Sequence, residues 1–113
     1  MKAPRKPNSS NFQNRTVLAR ECALSAALER ISGRWKMQTL YAIKLGEARF
    51  SRIKKRLPGI SDRMLGLRLE ELAEEGLIAK DVARLGVEYR LLPQGQRLME
   101  IMDDVMAWSG GLP

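Results

Sequence analysis

The side chains here with the means to do chemistry are mostly cations, gathered in one stretch. Between Arg49 and Arg68 the chain carries Arg49, Arg52, Lys54, Lys55, Arg56, Arg63 and Arg68, with the hydroxyls of Ser51 and Ser61 among them and Asp62 as the sole acid. Ammonium and guanidinium groups at this density suit a polyanion. They neutralise phosphates, hydroxyls donate to phosphate oxygens, and an arginine aimed at a base can grip the O6 and N7 edge of guanine. Four glutamates follow, Glu70, Glu71, Glu74 and Glu75. Clustered carboxylates are the raw material of general acid–base chemistry, but at an exposed helix end they form a solvated face, one that repels phosphate.

Other chemistry has little to stand on. The 113 residues contain no histidine and one cysteine, Cys22, so the commonest general base and metal ligand are missing and no thiolate cage can form. There is no glycine-rich phosphate loop and no nucleophile beside an evident base. The reading is of a chain that is not an enzyme and needs no metal or cofactor. A single cysteine excludes an internal disulfide framework and fits a reducing compartment. No apolar run approaches a membrane span, and the basic N-terminus is not followed by the apolar core of a secretory signal. The expected location is cytoplasmic, with no membrane partner.

The net charge is +7, unevenly spread. Residues 1–33 hold six basic and two acidic groups, residues 34–68 ten and two, and residues 69–113 four and nine, giving +4, +8 and −5. The positive charge lies on the central stretch, which favours double-stranded DNA as partner.

The elements that must position these cations follow from local signals. Ser51 is a candidate cap for a short basic helix that has to end by Pro58, because proline restricts the residue before it and cannot extend the ladder. Gly59 makes the turn. Ser61 caps the next helix, Asp62 suits its first turn, and Gly76 ends it after Leu65, Leu69, Leu72 and Ala73 have laid down an apolar stripe. Two helices joined by a glycine-bearing turn make a helix-turn-helix candidate.

Upstream, Val17, Leu24, Ala27, Leu28 and Ile31 recur at helical spacing and Gly33 closes that helix. A second helix runs from about Trp35 to Leu45, with Met37, Leu40, Tyr41 and Ile43 turned to the core and Trp35 as anchor. Residues 1–16, rich in Pro, Asn and Ser and without an acid, read as a flexible basic tail, either solvated or reaching DNA as an arm. Downstream, residues 77–82 and 87–91 read as two strands joined by a short glycine-ending link over 83–86. Such a hairpin after a helix-turn-helix is a wing, with Arg84 at its tip either on phosphate or simply solvated. Pro93 opens a final helix whose apolar residues Leu98, Met99, Ile101, Met102, Val105, Met106 and Trp108 cover half its circumference. That is wider than one packing surface needs and points to a homodimer. The fold class is mainly α with a small β-hairpin, a winged helix-turn-helix over residues 17–113.

With Leu65, Leu69 and Leu72 inward, the outward side of the helix after Ser61 carries Arg63, Gly66, Leu67, Glu70 and Glu74. The N-terminal part of a recognition helix does the reading, so Asp62, Arg63, Gly66 and Leu67 are the base-reading candidates. Arg49, Ser51, Arg52, Lys54, Lys55, Arg56, Ser61, Arg68 and Arg84 are the phosphate-binding candidates.

In order along the chain, Cys22, Gly33-Arg34-Trp35, Arg49-Phe50, Leu57-Pro58-Gly59-Ile60-Ser61, Met64-Leu65, Arg68-Leu69, Leu72, Glu75-Gly76-Leu77 and Val87-Glu88-Tyr89 resemble the HxlR-type winged helix-turn-helix transcriptional regulators of bacteria and archaea. The resemblance covers about residues 22–108. It implies a dimer through the N- and C-terminal helices, placing Val17, Leu24, Leu98, Ile101, Met102, Val105 and Trp108 at the interface. It also implies control of nearby genes, by repression or activation, through a pseudo-palindromic operator. Cys22 matches a position that some members use to sense oxidants or electrophiles. Arg20 beside it favours the thiolate, Glu21 opposes it, and the alternative is a small buried hydrophobe. The link between Lys80 and Val87 is shorter than the family's proline-bearing wing loop, and Gly66 and Leu67 stand where polar residues are expected. Two other functions fit the same residues: a winged-helix protein-interaction module, and a nonspecific nucleoid-type DNA binder. A small-molecule or oxidant effector is compatible with all of this and is not identified by it.

Overall fold

A computed structural model describes residues 9–111. Residues 1–8, half of the expected tail, lie outside it. By its contacts the chain falls into two units, residues 1–33 and residues 34–113.

The first unit holds helix α1, Ser9–Ile31. It begins eight residues before the expected start at Val17, so residues 9–16 are helical and not tail. Asn and Ser cost a helix only some tenths of a kcal/mol each, and extending an existing helix is cheap compared with starting one. Val17, Leu18, Leu24 and Leu28 are exposed along α1.

The second unit runs α2 (Lys36–Lys44), α3 (Phe50–Lys55), α4 (Asp62–Glu74), β1 (Ile78–Ala83), β2 (Gly86–Leu91) and α5 (Pro93–Trp108). One buried cluster ties all of it together: Leu40 from α2, Ile53 from α3, Leu65, Leu69 and Leu72 from α4, Ile78 from β1 and Met99 from α5. The stripe foreseen on α4 is therefore the centre of the core. Lys36, only 4% exposed, reaches Glu75 just past the end of α4 at 2.7 Å, pinning α2 to α4 by charge as well as by packing.

Trp35 precedes α2 in a left-handed conformation, φ 74°, a strained choice for a bulky residue. Several contacts hold it there. The Thr39 hydroxyl donates to its carbonyl at 2.7 Å, Arg68 Nε donates to the Arg34 carbonyl at 2.8 Å, and the Arg34 guanidinium lies 5.5 Å from the indole centroid. The indole also faces Gly59 in the turn of the helix-turn-helix. Trp35 packs on the core as expected.

Tyr41 does not. It is exposed, and with Met37, Leu45, Leu57, Met102 and Met106 it lines an apolar groove of about 420 Å³ between α2 and α5. It lies one residue beyond Leu40, and a step of about 100° around the helix carries it off the buried face.

The strands pair antiparallel with Ile78 opposite Leu91, Lys80 opposite Tyr89 and Ala83 opposite Gly86. The link is thus two residues, Arg84 and Leu85, because Ala83 and Gly86 belong to the strands. Val87, Tyr89 and Leu91 are half-buried and alternate with exposed Glu88 and Arg90. At the base of the wing the first turn of α5 presses on the backbone just before β1 so closely that a Cβ on Gly95 would overlap the Leu77 carbonyl oxygen.

On α5 the broad apolar set divides. Leu98 and Met102, expected at a dimer interface, pack against the chain's own core beside buried Met99. Ile101, Val105 and Trp108 stay exposed, Trp108 at 86%. The spacing explains it: residues 98, 99 and 102 share one helical face, while 101, 105 and 108 share the next.

Candidate nucleic-acid interface

Helix α4 starts as its residues dictate. Ser61 is the N-cap, its Oγ accepting from the Met64 N–H at 3.0 Å. The hydroxyl proton remains available to a phosphate. Arg63, Leu67, Glu70 and Glu74 are exposed along one side, with Gly66 half-exposed between them. Together with Lys80 and Tyr89 of the hairpin they line a groove of about 510 Å³ between α4 and the wing. Arg63 makes no ion pair among the described residues. Burial raises the Tyr89 phenol above its ordinary pKa, the Glu70 charge adding to the effect, so it stays a neutral donor.

Asp62 differs. Its carboxylate is 2.6 Å from Lys54 Nζ, joining the start of α4 to the end of α3. That pair occupies one expected base reader and one expected phosphate binder at once.

The cations of the helix-turn-helix are largely paired. Arg56 Nε donates to Glu47 Oε2 at 2.8 Å and Arg52 approaches Oε1 of the same residue at 3.7 Å. The Arg56 hydrogen bond, aided by the charges of Arg56 and Arg52, holds the Glu47 carboxyl below the usual carboxylate range although partial desolvation opposes it. Arg68 is mostly enclosed, spent on the Arg34 carbonyl and on Glu71 at 2.7 Å, so its guanidinium is a structural brace. The guanidinium of Arg49 turns to the wing: Nη1 donates to the Leu85 carbonyl and Nη2 to Glu88, both at 2.9 Å. The cap of α3 is Arg49 rather than Ser51, which sits in the first turn with an exposed hydroxyl. Lys55, Arg63 and Arg84 are exposed and make no ion pair among the described residues.

Sequence reasoning missed Glu47 and the Lys36–Glu75 pair. Glu47 had a signal: it is the first of only two acids, with Asp62, in the strongly basic span 34–68. Lys36 had none, since a lysine opening an amphipathic helix reads as solvated.

Cys22 is exposed on α1, with Leu18, Glu21, Ser25, Ala26 and Glu29 around it. It is not the buried hydrophobe of the alternative reading. Among the described residues no cluster of potential ligands could hold a metal ion, and no helix is long and apolar enough to cross a membrane.

A core of α2, α3 and α4, with α4 presenting an exposed face beside a two-stranded wing, is a winged helix-turn-helix DNA-binding domain. Residues 30–112 match the HxlR-like helix-turn-helix family, and the chain belongs to that family of DNA-binding transcriptional regulators. An HTH-type transcriptional regulator of Methanothermobacter thermautotrophicus is 38% identical over 91 residues, covering 78% of this chain and 70% of the relative. The crystal structure of ytcD, an HTH-type regulator of Bacillus subtilis, is 36% identical with a TM-score of 0.72, over 77% of this chain and 92% of that one. Quinone-bound YodB from B. subtilis is 26% identical with a TM-score of 0.69, over 80% and 98%. These relatives are regulators, not enzymes.

Proposed function

We propose that the chain acts as a homodimer that recognises a pseudo-palindromic operator, α4 entering the major groove with its outward face and the wing lying on the flank. The observation that carries this reading is the state of the cations. Most of those in the helix-turn-helix are paired with acids of their own chain, whereas Arg63 stands exposed on the outward face of α4 and makes no ion pair among the described residues. A nonspecific binder gains from every unpaired cation, but a specific one needs only a few, well aimed. Lys55, Arg84 and the Ser51 and Ser61 hydroxyls are among the exposed groups available to hold phosphates.

The dimer reading rests on two apolar surfaces, Val17, Leu24 and Leu28 on α1 and Ile101, Val105 and Trp108 on α5, all exposed. Apolar stripes of this kind on long helices belong against a partner. Thiol-based sensing by Cys22 is supported by its exposure and by the kinship with quinone-bound YodB.

Hydroxyl-radical footprinting on DNA upstream of the gene tests the proposal. The expected result is two protected patches about one helical turn, or a multiple of it, apart, weakened by a mild thiol oxidant in the wild type and not in Cys22→Ser. Uniform protection without periodicity contradicts operator recognition, and an identical oxidant response in Cys22→Ser contradicts sensing by this thiol.

A further inference from the structure

We propose that Glu70 is a second base-reading residue and accepts a hydrogen bond from the N4 amine of cytosine. The inference rests on the reading of α4 as the recognition helix and adds a specificity position to it.

The glutamates at the end of α4 look alike in the sequence but are not alike in the fold. Glu71 is taken by Arg68 at 2.7 Å and Glu75 by Lys36 at 2.7 Å. Glu70 and Glu74 are exposed and make no ion pair among the described residues. Glu70 lies seven residues after Arg63, two turns along the same face, and both line the groove between α4 and the wing. At 1.5 Å per residue the two are about 10.5 Å apart along the axis. Glu74, about 16.5 Å beyond Arg63 along the axis, lies a further turn from the N-terminal part of the helix that reads bases. Asp62, the acid first expected to read a base, is held by Lys54.

A carboxylate accepts and cannot donate, so in the major groove it fits the amine of cytosine and is rejected by the acceptors of guanine and thymine. Arg63 is its complement, a pure donor suited to guanine. With a helical separation of about 10.5 Å and a base-pair rise of about 3.4 Å, the guanine and the cytosine should lie roughly three base pairs apart in each half-site. The rival role for Glu70 is repulsion that keeps the end of α4 off the phosphates, and the two roles separate cleanly. A repelling charge acts equally on every sequence, whereas a reader acts at one base.

The test is selection from a pool of randomised duplexes at fixed salt, with wild type, Glu70→Gln and Glu70→Ala. In the wild type a cytosine preference of roughly tenfold is expected about three base pairs from the guanine assigned to Arg63. Glu70→Gln should turn that position from cytosine to adenine, since an amide pairs with the adenine N6 and N7 edge, and Glu70→Ala should reduce it to under about twofold, the guanine staying fixed in both. Tighter binding to every sequence with unchanged preferences would overturn the Glu70 assignment and leave the recognition helix standing. A wild type with no preferred sequence at all would overturn both.

Discussion

Arg49 grips the wing through Glu88, its Nη2 2.9 Å from the carboxylate, while Nη1 donates to the Leu85 carbonyl at the same distance. The Tyr89 N–H, donating to the Ala48 carbonyl at 2.8 Å, makes a second tie in the same place. A residue that composition groups with the phosphate binders thus ties the hairpin tip, with Arg84, to the start of α3.

Arg49→Ala should therefore weaken DNA binding about evenly across sequences, by roughly fivefold, and leave base preference unchanged. An exposed pair of this kind contributes under about 1 kcal/mol, so the fold should melt nearly as before. Amide hydrogen exchange over residues 84–88 should quicken. Arg49→Lys should fail to restore it, because an ammonium cannot span two acceptors as the planar fork does.

Glu47 restrains the basic helix. Glu47→Gln should leave Arg52 and Arg56 unpaired, steepen the salt dependence by about one to two units of slope, and raise affinity for random DNA more than for the preferred site. A titration against both DNAs over a salt series measures this. The sign with pH is fixed by the lowered carboxyl pKa. The stabilising contribution of Glu47 is present above the ordinary carboxylate range and is lost as pH falls through the lower folded value. The variant and the wild type should differ in melting near neutrality and converge in acid.

The α5 face should separate assembly from folding. Trp108→Ala and Val105→Asp remove exposed apolar groups and should weaken self-association by about tenfold or more, read by sedimentation at several concentrations, with little loss of helicity. Met99→Ala, in the core at 1% exposure, should instead cost about 2–5 kcal/mol of stability. Equal assembly in wild type and both face variants would place the interface elsewhere.

Helix α4, its Ser61 cap and its outward face were legible because periodicity, capping chemistry and turn residues all agree there. The wing was legible for the same reason, with β1 shifted by one residue and β2 begun one residue earlier. The beginning of α1 was not, because Asn and Ser in residues 9–16 argue locally for a tail and the cost of keeping them helical is small. The division of α5 was hidden because spacing gives faces but not what each face meets. The largest gap was the fate of the cations. Charge shows that a basic helix is present, but pairing depends on where Glu47, Glu88 and the Arg34 carbonyl come to lie, which is a property of the fold. Arg49 and Arg68 match the family pattern and still point to protein atoms.

Whether Arg63 on α4 reads sequence is measured by titrating wild type and Arg63→Ala against the preferred site and a scrambled duplex at physiological salt. The variant should lose about 1–3 kcal/mol on the preferred site and far less on the scrambled one, so that discrimination collapses. An equal loss on both would make Arg63 a phosphate contact and contradict a base-reading role.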